Sequence, residues 1–180
     1  MKMKKMLLAC TAGISMGVVG LANAQQATGQ IEVTATVMEG CAVSTDGAQG
    51  GGGTTWGTLD FGTLQPIWSE AVNADVVGTA SGGVISVVCS GGVNSFTLAL
   101  DGGTSAGAER QITTAEGEAL AYNVYQDEAR TEAYGIDTAV TFNVTDGQPV
   151  EVPLYGQLLA NATAAVAGTY TDTLTATLQF

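Results

Sequence analysis

An all-β fold, a sandwich or barrel of short strands, is what this sequence predicts, and three observations predict it. From Gln25 onward, polar and apolar residues alternate with a period of two. Val, Ile, Thr, Tyr and Phe gather in the alternating stretches, where a pleated, half-buried surface suits them. Turn sequences such as Asp101-Gly102, Asp146-Gly147 and the glycine-rich Gly47 to Gly53 separate those stretches, supplying residues that accept positive φ.

The chain opens differently. Lys2, Lys4 and Lys5 precede an uncharged run from Met6 to Leu21 and then Ala22-Asn23-Ala24. That order is a secretory signal peptide over residues 1–24, with the mature chain expected to begin at Gln25. Leu7-Leu8-Ala9-Cys10 has the spelling of a lipid-attachment site, but almost no apolar segment precedes Cys10, so lipidation is not expected. A polar stretch follows the apolar run, and no other stretch is apolar enough to span a bilayer, so no membrane insertion is expected. Removing 24 of the 180 residues leaves 156, one domain of ordinary size with enough chain for a core.

Along that domain the alternating runs predict strands at Thr28 to Met38, Leu59-Phe61, Val84 to Cys89, Phe96-Leu98-Leu100 and Leu120-Tyr122-Val124. Further strands are predicted at Val140-Phe142-Val144, Val150-Val152-Leu154 and Leu174-Ala176-Leu178-Phe180. Alternation fades over Gln65 to Thr79 and Ser105 to Glu118, which read as loops with short helical turns, and over Asn161 to Gly168, a small-residue connection between sheets.

Composition excludes several functions. All three lysines leave with the signal, so 17 acidic residues face only Arg110 and Arg130, and the formal charge of −12 becomes −15. Such a chain repels nucleic acid and anionic lipid surfaces, and its charge reads first as solubility outside the cell. Cys41 and Cys89 are the only cysteines of the mature chain, and an even pair in an exported protein reads as one disulfide. It would close a loop of about 48 residues, a chain-entropy effect on the order of 4 kcal/mol. With no histidine in the sequence, a zinc site or an activated cysteine has no partner, and no metal or cofactor is expected.

Catalysis would have to use carboxylates alone. Glu116 with Glu118, or Asp127 with Glu128, could be spelled as a glycosidase pair, but both lie in acidic, loop-like sequence where solvated charge is the default, so no enzyme is expected. Gly50 to Gly53 lacks the spaced Gly-Lys-Ser/Thr pattern of a phosphate loop. Asn143-Val-Thr145 and Asn161-Ala-Thr163 are glycosylation sequons in spelling only. Trp56 and Trp68 flank the Leu59-Phe61 run and read as core aromatics rather than a sugar platform.

The two ends carry the functional signal. The last alternating run stops at Phe180, so the final strand is expected to leave an edge and an apolar groove uncovered. The run from Thr28 to Met38, before the first cysteine, looks surplus. Its apolar residues Ile31, Val33, Ala35 and Val37 can fill such a groove in a neighbouring molecule. From periodicity alone, the same strand could equally close the sheet of its own molecule, giving a monomeric secreted binding module.

Three stretches also resemble a known family: Thr28-Gly29-Gln30-Ile31-Glu32-Val33 leading through Gly40-Cys41; Trp56-Gly57-Thr58-Leu59-Asp60-Phe61-Gly62; and Ala167-Gly168-Thr169-Tyr170-Thr171-Asp172-Thr173-Leu174-Thr175-Ala176-Thr177-Leu178. In that order they resemble subunits of archaic, Csu-type chaperone-usher pili, which share the spore coat protein U domain. The resemblance implies an incomplete immunoglobulin-like sandwich over residues 40–180, with residues 25–39 as a donor-strand extension. It implies that Cys41 and Cys89 staple the first strand to the second. It assigns Ile31, Val33, Ala35 and Val37 to the donor, and Leu174, Ala176, Leu178 and Phe180 to the acceptor groove that a periplasmic chaperone holds first. The implied partners are further copies of the chain in a linear polymer, other pilus subunits, the chaperone and an outer-membrane usher. The implied setting is a fimbrium at the cell surface, serving attachment and biofilm formation, with this chain as the main rod subunit. One departure is the absence of lysine after residue 5, so subunit contacts here do not use lysine ion pairs.

Overall fold

A computed structural model describes residues 28–43, 55–78, 82–105, 107–145 and 147–180. They fall into two units, one ending at Thr36 and the other running from Val37 to Phe180. In the first unit, residues 28–36 form no strand, and Ile31 and Val33 are 90% and 88% exposed. The strand expected over Thr28 to Met38 is therefore not formed, because a strand exists only through the ladder that pairs it. The signal peptide and the glycine run at 47–53 lie outside the described residues.

The second unit is all β. Its described residues contain β1 (Cys41–Val43), β2 (Gly57–Thr58), β3 (Val72–Asp75), β4 (Val77–Gly78), β5 (Val84–Cys89) and β6 (Ser95–Leu100). They continue with β7 (Arg110–Thr113), β8 (Ala119–Tyr125), β9 (Val140–Asn143), β10 (Val150–Pro153), β11 (Tyr155–Leu158) and β12 (Ala176–Gln179). All strand pairs are antiparallel, in the orders β1-β5-β10, β3-β11-β8-β7, β12-β6-β9 and β2-β4.

Alternation decides which residues enter the core. In β5 it is Ile85, Val87 and Cys89, in β6 Phe96, Leu98 and Leu100, and in β8 Tyr122 and Val124. These meet Val152, Leu154, Leu158 and Val43 in one cluster. Phe96 stacks on Phe142 with ring centroids 5.3 Å apart. Trp56 and Trp68 pack against this core as expected, and the Trp68 indole N–H donates to the Leu159 carbonyl at 2.8 Å.

The structure departs from the sequence reading where long-range pairing outweighs local pattern. Gln65 to Thr79, expected as a loop, contains β3 and β4, held by β11 and β2. Ser105 to Glu118 contains β7, which pairs with β8. Leu59-Phe61 is not a strand: the neighbouring β2 is Gly57–Thr58, and Leu59 and Phe61 instead lie across β11. A Cβ on Gly156 would come within 3.2 Å of both side chains, which explains a glycine inside β11. The single strand expected at Val150 to Leu154 breaks at Leu154, with β10 pairing to β5 and β11 to β8. Pro153, which has no N–H to offer a ladder, sits at that switch between sheets.

Candidate functional site

Among the described residues each sheet has two outer strands with an unpaired side, and β1 and β12 are the two nearest the ends of the chain. β1 pairs only with β5, and β12 only with β6, so each is an outer strand of its sheet. From Thr171 to Gln179 burial alternates without a break: Leu174, Ala176 and Leu178 are half-buried against the core, and Thr173, Thr175, Thr177 and Gln179 are exposed. Only Ala176–Gln179 has the full ladder, two residues shorter at the start than expected. Phe180, next in the inward series, is 62% exposed.

The two outer strands approach each other at one end. Phe180 lies over Gly40, whose added Cβ would sit 3.8 Å from the ring, and Gly40 immediately precedes β1. An open recess of about 500 Å³ adjoins this point, lined by Glu39, Phe180, the β5–β6 turn residues Gly92 to Asn94, and Ser95 at the start of β6. Cys41 and Cys89 form a disulfide. It joins β1 to β5, which among the described residues is the fifth strand in chain order rather than the second, because three short strands intervene; Cys41 faces Cys89 in that ladder. The disulfide thus fixes the outer strand β1 to the sheet interior at the end where Gly40 meets Phe180.

At the opposite end of β12 a polar cluster holds the chain in register. Asp101 N–H donates to the Thr175 carbonyl at 3.0 Å, and Thr175 N–H donates to the Asp101 carboxylate at 2.8 Å. Asp172 accepts from the Tyr122 hydroxyl at 2.6 Å and from the Thr104 amide and hydroxyl at 2.7 Å each. Burial alone would raise both carboxyls. The bonds from Thr175 and Gly103 to Asp101, and from Tyr122 and Thr104 to Asp172, outweigh it and hold both pKa values below the ordinary carboxylate range. Burial pushes the Tyr122 hydroxyl pKa up, and Asp172 adds to that.

Arg110 closes the cluster from within. It is 2% exposed, and its guanidinium donates to the carbonyls of Asp101 (2.9 Å), Tyr134 (2.7 Å) and Leu100 (3.0 Å). Burial lowers its pKa, opposed by Tyr122, Asp101, Asp137 and Asp172. Three elements are thereby tied to the approach to β12: the end of β6, β7, and the loop at Tyr134. Sequence reasoning missed this cluster. The available signal was scarcity, since a chain with two arginines after residue 5 has few reasons to keep either. The other, Arg130, pairs with Asp75 at 2.7 Å and lies over the Tyr155 ring, joining a loop to β3 and β11.

Just before this approach, the Tyr170 hydroxyl donates to the Val166 carbonyl, four residues upstream, at 2.8 Å. That is the geometry of a tyrosine corner, the device that in immunoglobulin-like sandwiches introduces the sixth strand.

The carboxylate pairs form no catalytic site. Glu116 and Glu118 are exposed in the β7–β8 turn, which Thr114 closes by donating N–H to the Glu118 carbonyl. The Asp127 carboxylate accepts from the Glu132 and Thr131 amides and the Thr131 hydroxyl, bonds that lower its pKa and employ it as a loop cap.

Comparison with known proteins bears on this arrangement. The Spore Coat Protein U domain family matches residues 27–177. Among solved structures, similarity extends to a chain of the CsuC–CsuE chaperone–tip adhesion subunit pre-assembly complex from the archaic chaperone-usher Csu pili of Acinetobacter baumannii. The TM-score is 0.52 with 19% identity, over 81% of this chain and 40% of that one. At that identity the fold is what the two share, and this chain spans less than half the other's length. A search of curated proteins finds no match. The match from residue 27 to residue 177 takes in the first two stretches singled out in the sequence and all of the third except Leu178, and the chain belongs to the Spore Coat Protein U domain family.

Proposed function

We propose that this chain is a structural subunit, the main rod subunit, of a chaperone-usher pilus, and that it polymerises by donor-strand exchange. One observation carries the reading. The same molecule combines an outer strand, β12, whose Leu174, Ala176 and Leu178 face the core, with a segment whose Ile31, Val33 and Val37 are 90%, 88% and 87% exposed. Large apolar residues on one face of an alternating segment are a liability unless a partner covers them. Seating Ile31, Val33, Ala35 and Val37 against β12 of another copy would contribute roughly 5 to 10 kcal/mol gross, at about 1.5 to 3 kcal/mol per larger side chain before ordering costs.

Before polymerisation the edge of β12 needs a temporary occupant, and a periplasmic chaperone is the partner proposed for it. The name of the similar complex pairs a chaperone with a pilus subunit in the same way. Passage through an outer-membrane usher, a surface fimbrium, attachment and biofilm formation complete the proposal. The rod role rests on the single family domain carrying both an edge that can accept and a segment that can donate, which is what a repeating unit requires.

The test is expression in the periplasm with and without the cognate chaperone. The chain alone is expected to aggregate or be degraded, and to become soluble in a one-to-one complex when the chaperone is present. A stable, soluble monomer with residues 28–38 protected from proteolysis would refute the proposal and favour a self-complemented binding module.

A further inference from the structure

The last strand belongs to two sheets in turn. Thr171 exchanges two backbone bonds with Thr113 of β7, at 2.9 and 3.0 Å, whereas Ala176–Gln179 lies in the ladder with β6. Between those points the chain crosses from the four-stranded sheet to the three-stranded one. Where it crosses decides where the free edge of β12 begins.

Three side chains fix the crossing. The register of β12 on β6, continued by one residue, sets Thr175 opposite Asp101, and in a regular ladder the two would exchange both of their backbone bonds. One of these is present, from Asp101 N–H to the Thr175 carbonyl. The other is replaced: the Asp101 carbonyl accepts from Arg110 Nε at 2.9 Å, and the Asp101 carboxylate accepts from Thr175 N–H in its stead. The ladder therefore ends at this pair.

Just upstream, Asp172 holds the departing chain. One of its carboxylate oxygens accepts from the Thr104 amide and hydroxyl, and the other from the Tyr122 hydroxyl, so the crossing is bonded to β8 and to the segment that follows β6. The carboxylate lies against Gly103, where φ is +86° and an added Cβ would collide with it. All three donors are neutral, so the site requires a correctly placed oxygen acceptor rather than an ion pair.

Resting on the strand-exchange reading, we propose that Asp172 is a positioning residue for strand acceptance: with Asp101 and Arg110 it fixes the crossing, and the edge of β12 takes up a strand only while the crossing is held. A shift of one residue at this point would turn Thr173, Thr175 and Thr177 toward the core in place of Leu174, Ala176 and Leu178. The same shift would exchange the peptide groups that face β6 with those that face the free edge.

The test uses the full chain co-expressed with the chaperone and recovered as the one-to-one complex. Asp172→Ala is expected to lower the yield of complex about tenfold or more. Asp172→Asn is expected to restore it to within about threefold, because the amide oxygen accepts from Thr104 and the Tyr122 hydroxyl turns to accept from the amide nitrogen. Tyr122→Phe removes one bond, keeps the ring in the core, and supplies a variant that folds. In its complex the amides of Thr104, Thr175, Thr177 and Gln179 are expected to exchange with solvent about tenfold faster, while those of Ile85 and Val87 exchange as before. A synthetic peptide of residues 25–38 is expected to displace the chaperone from that complex about fivefold more slowly than from the unsubstituted one. Full capture of Asp172→Ala would overturn the proposal, as would an Asp172→Asn chain as poor as the alanine variant. Faster exchange spread equally through β5, or unchanged exchange at the four amides, would overturn it too. Failure of the peptide to displace the chaperone from the unsubstituted complex would instead refute the strand-exchange reading beneath it.

Discussion

Leu178→Asp is expected to abolish both capture by the chaperone and incorporation into fibres. Leu178 sits in β12 directly opposite Leu98, which is fully buried, and its backbone pairs with β6 while its other side is open. The substitution forfeits about 1.5 to 3 kcal/mol of apolar burial and places an unpaired carboxylate against the leucine-lined face of the sheet, at a further cost of several kcal/mol. Surface yield is expected to fall at least a hundredfold. Thr177→Asp separates groove chemistry from general damage to the strand. Thr177 is exposed on the opposite face of β12, and a charge there is expected to leave fibre yield within about twofold of the unsubstituted chain. Normal secretion and assembly of Leu178→Asp would remove β12 from the acceptor role. Equal loss in both variants would mean that the strand tolerates no charge on either face, and that the groove is not what the first variant tests.

Deleting residues 25–38 is expected to separate accepting from donating. The sandwich from Glu39 onward retains its disulfide, its core and the edge of β12, so the truncated chain is expected to bind the chaperone as the full chain does. It has no strand to give. Losing even the lower end of the 5 to 10 kcal/mol gross burial corresponds, at about 1.4 kcal/mol per tenfold, to a weakening on the order of a thousandfold or more. Multimers of the truncated chain are therefore expected to be undetectable, and the truncated chain mixed with the full one is expected to join only at a filament end. Continued growth by the truncated chain would show that some other segment is the donor.

How much of this was legible in the sequence depends on where each strand finds its partner. β5, β6, β8 and β9 were readable because each alternates and supplies the core with large apolar residues, such as Ile85 and Val87 or Phe96 and Leu98. β3 and β7 were not, since Val72–Asp75 and Arg110–Thr113 hold few apolar residues and exist because β11 and β8 pair with them. The strand switch at Leu154 was hidden for a related reason: one alternating run serves two ladders, and only the tertiary partners show where it divides.

The candidate site divides along the same line. Leu174, Ala176 and Leu178 alternate in burial as their sequence does, and the Cys41–Cys89 bond follows from counting cysteines. Arg110, Asp101, Tyr122 and Asp172 lie far apart in sequence and meet only in the fold. No periodicity announces a buried guanidinium whose partners are backbone carbonyls. The exposed Ile31 and Val33 show the opposite situation, in which pattern without a partner yields no strand.

The central claim is that an N-terminal segment completes the sandwich of a neighbouring copy, and electrophoresis of fibres sheared from the cell surface tests it most directly. A strand seated in a groove by a full ladder and four apolar side chains resists detergent in the cold and is released by heat. Unboiled material is expected to run as a regular ladder of multimers that boiling collapses to a single subunit band. A single monomer band in the unboiled sample, with the subunit present at the surface, would contradict the claim.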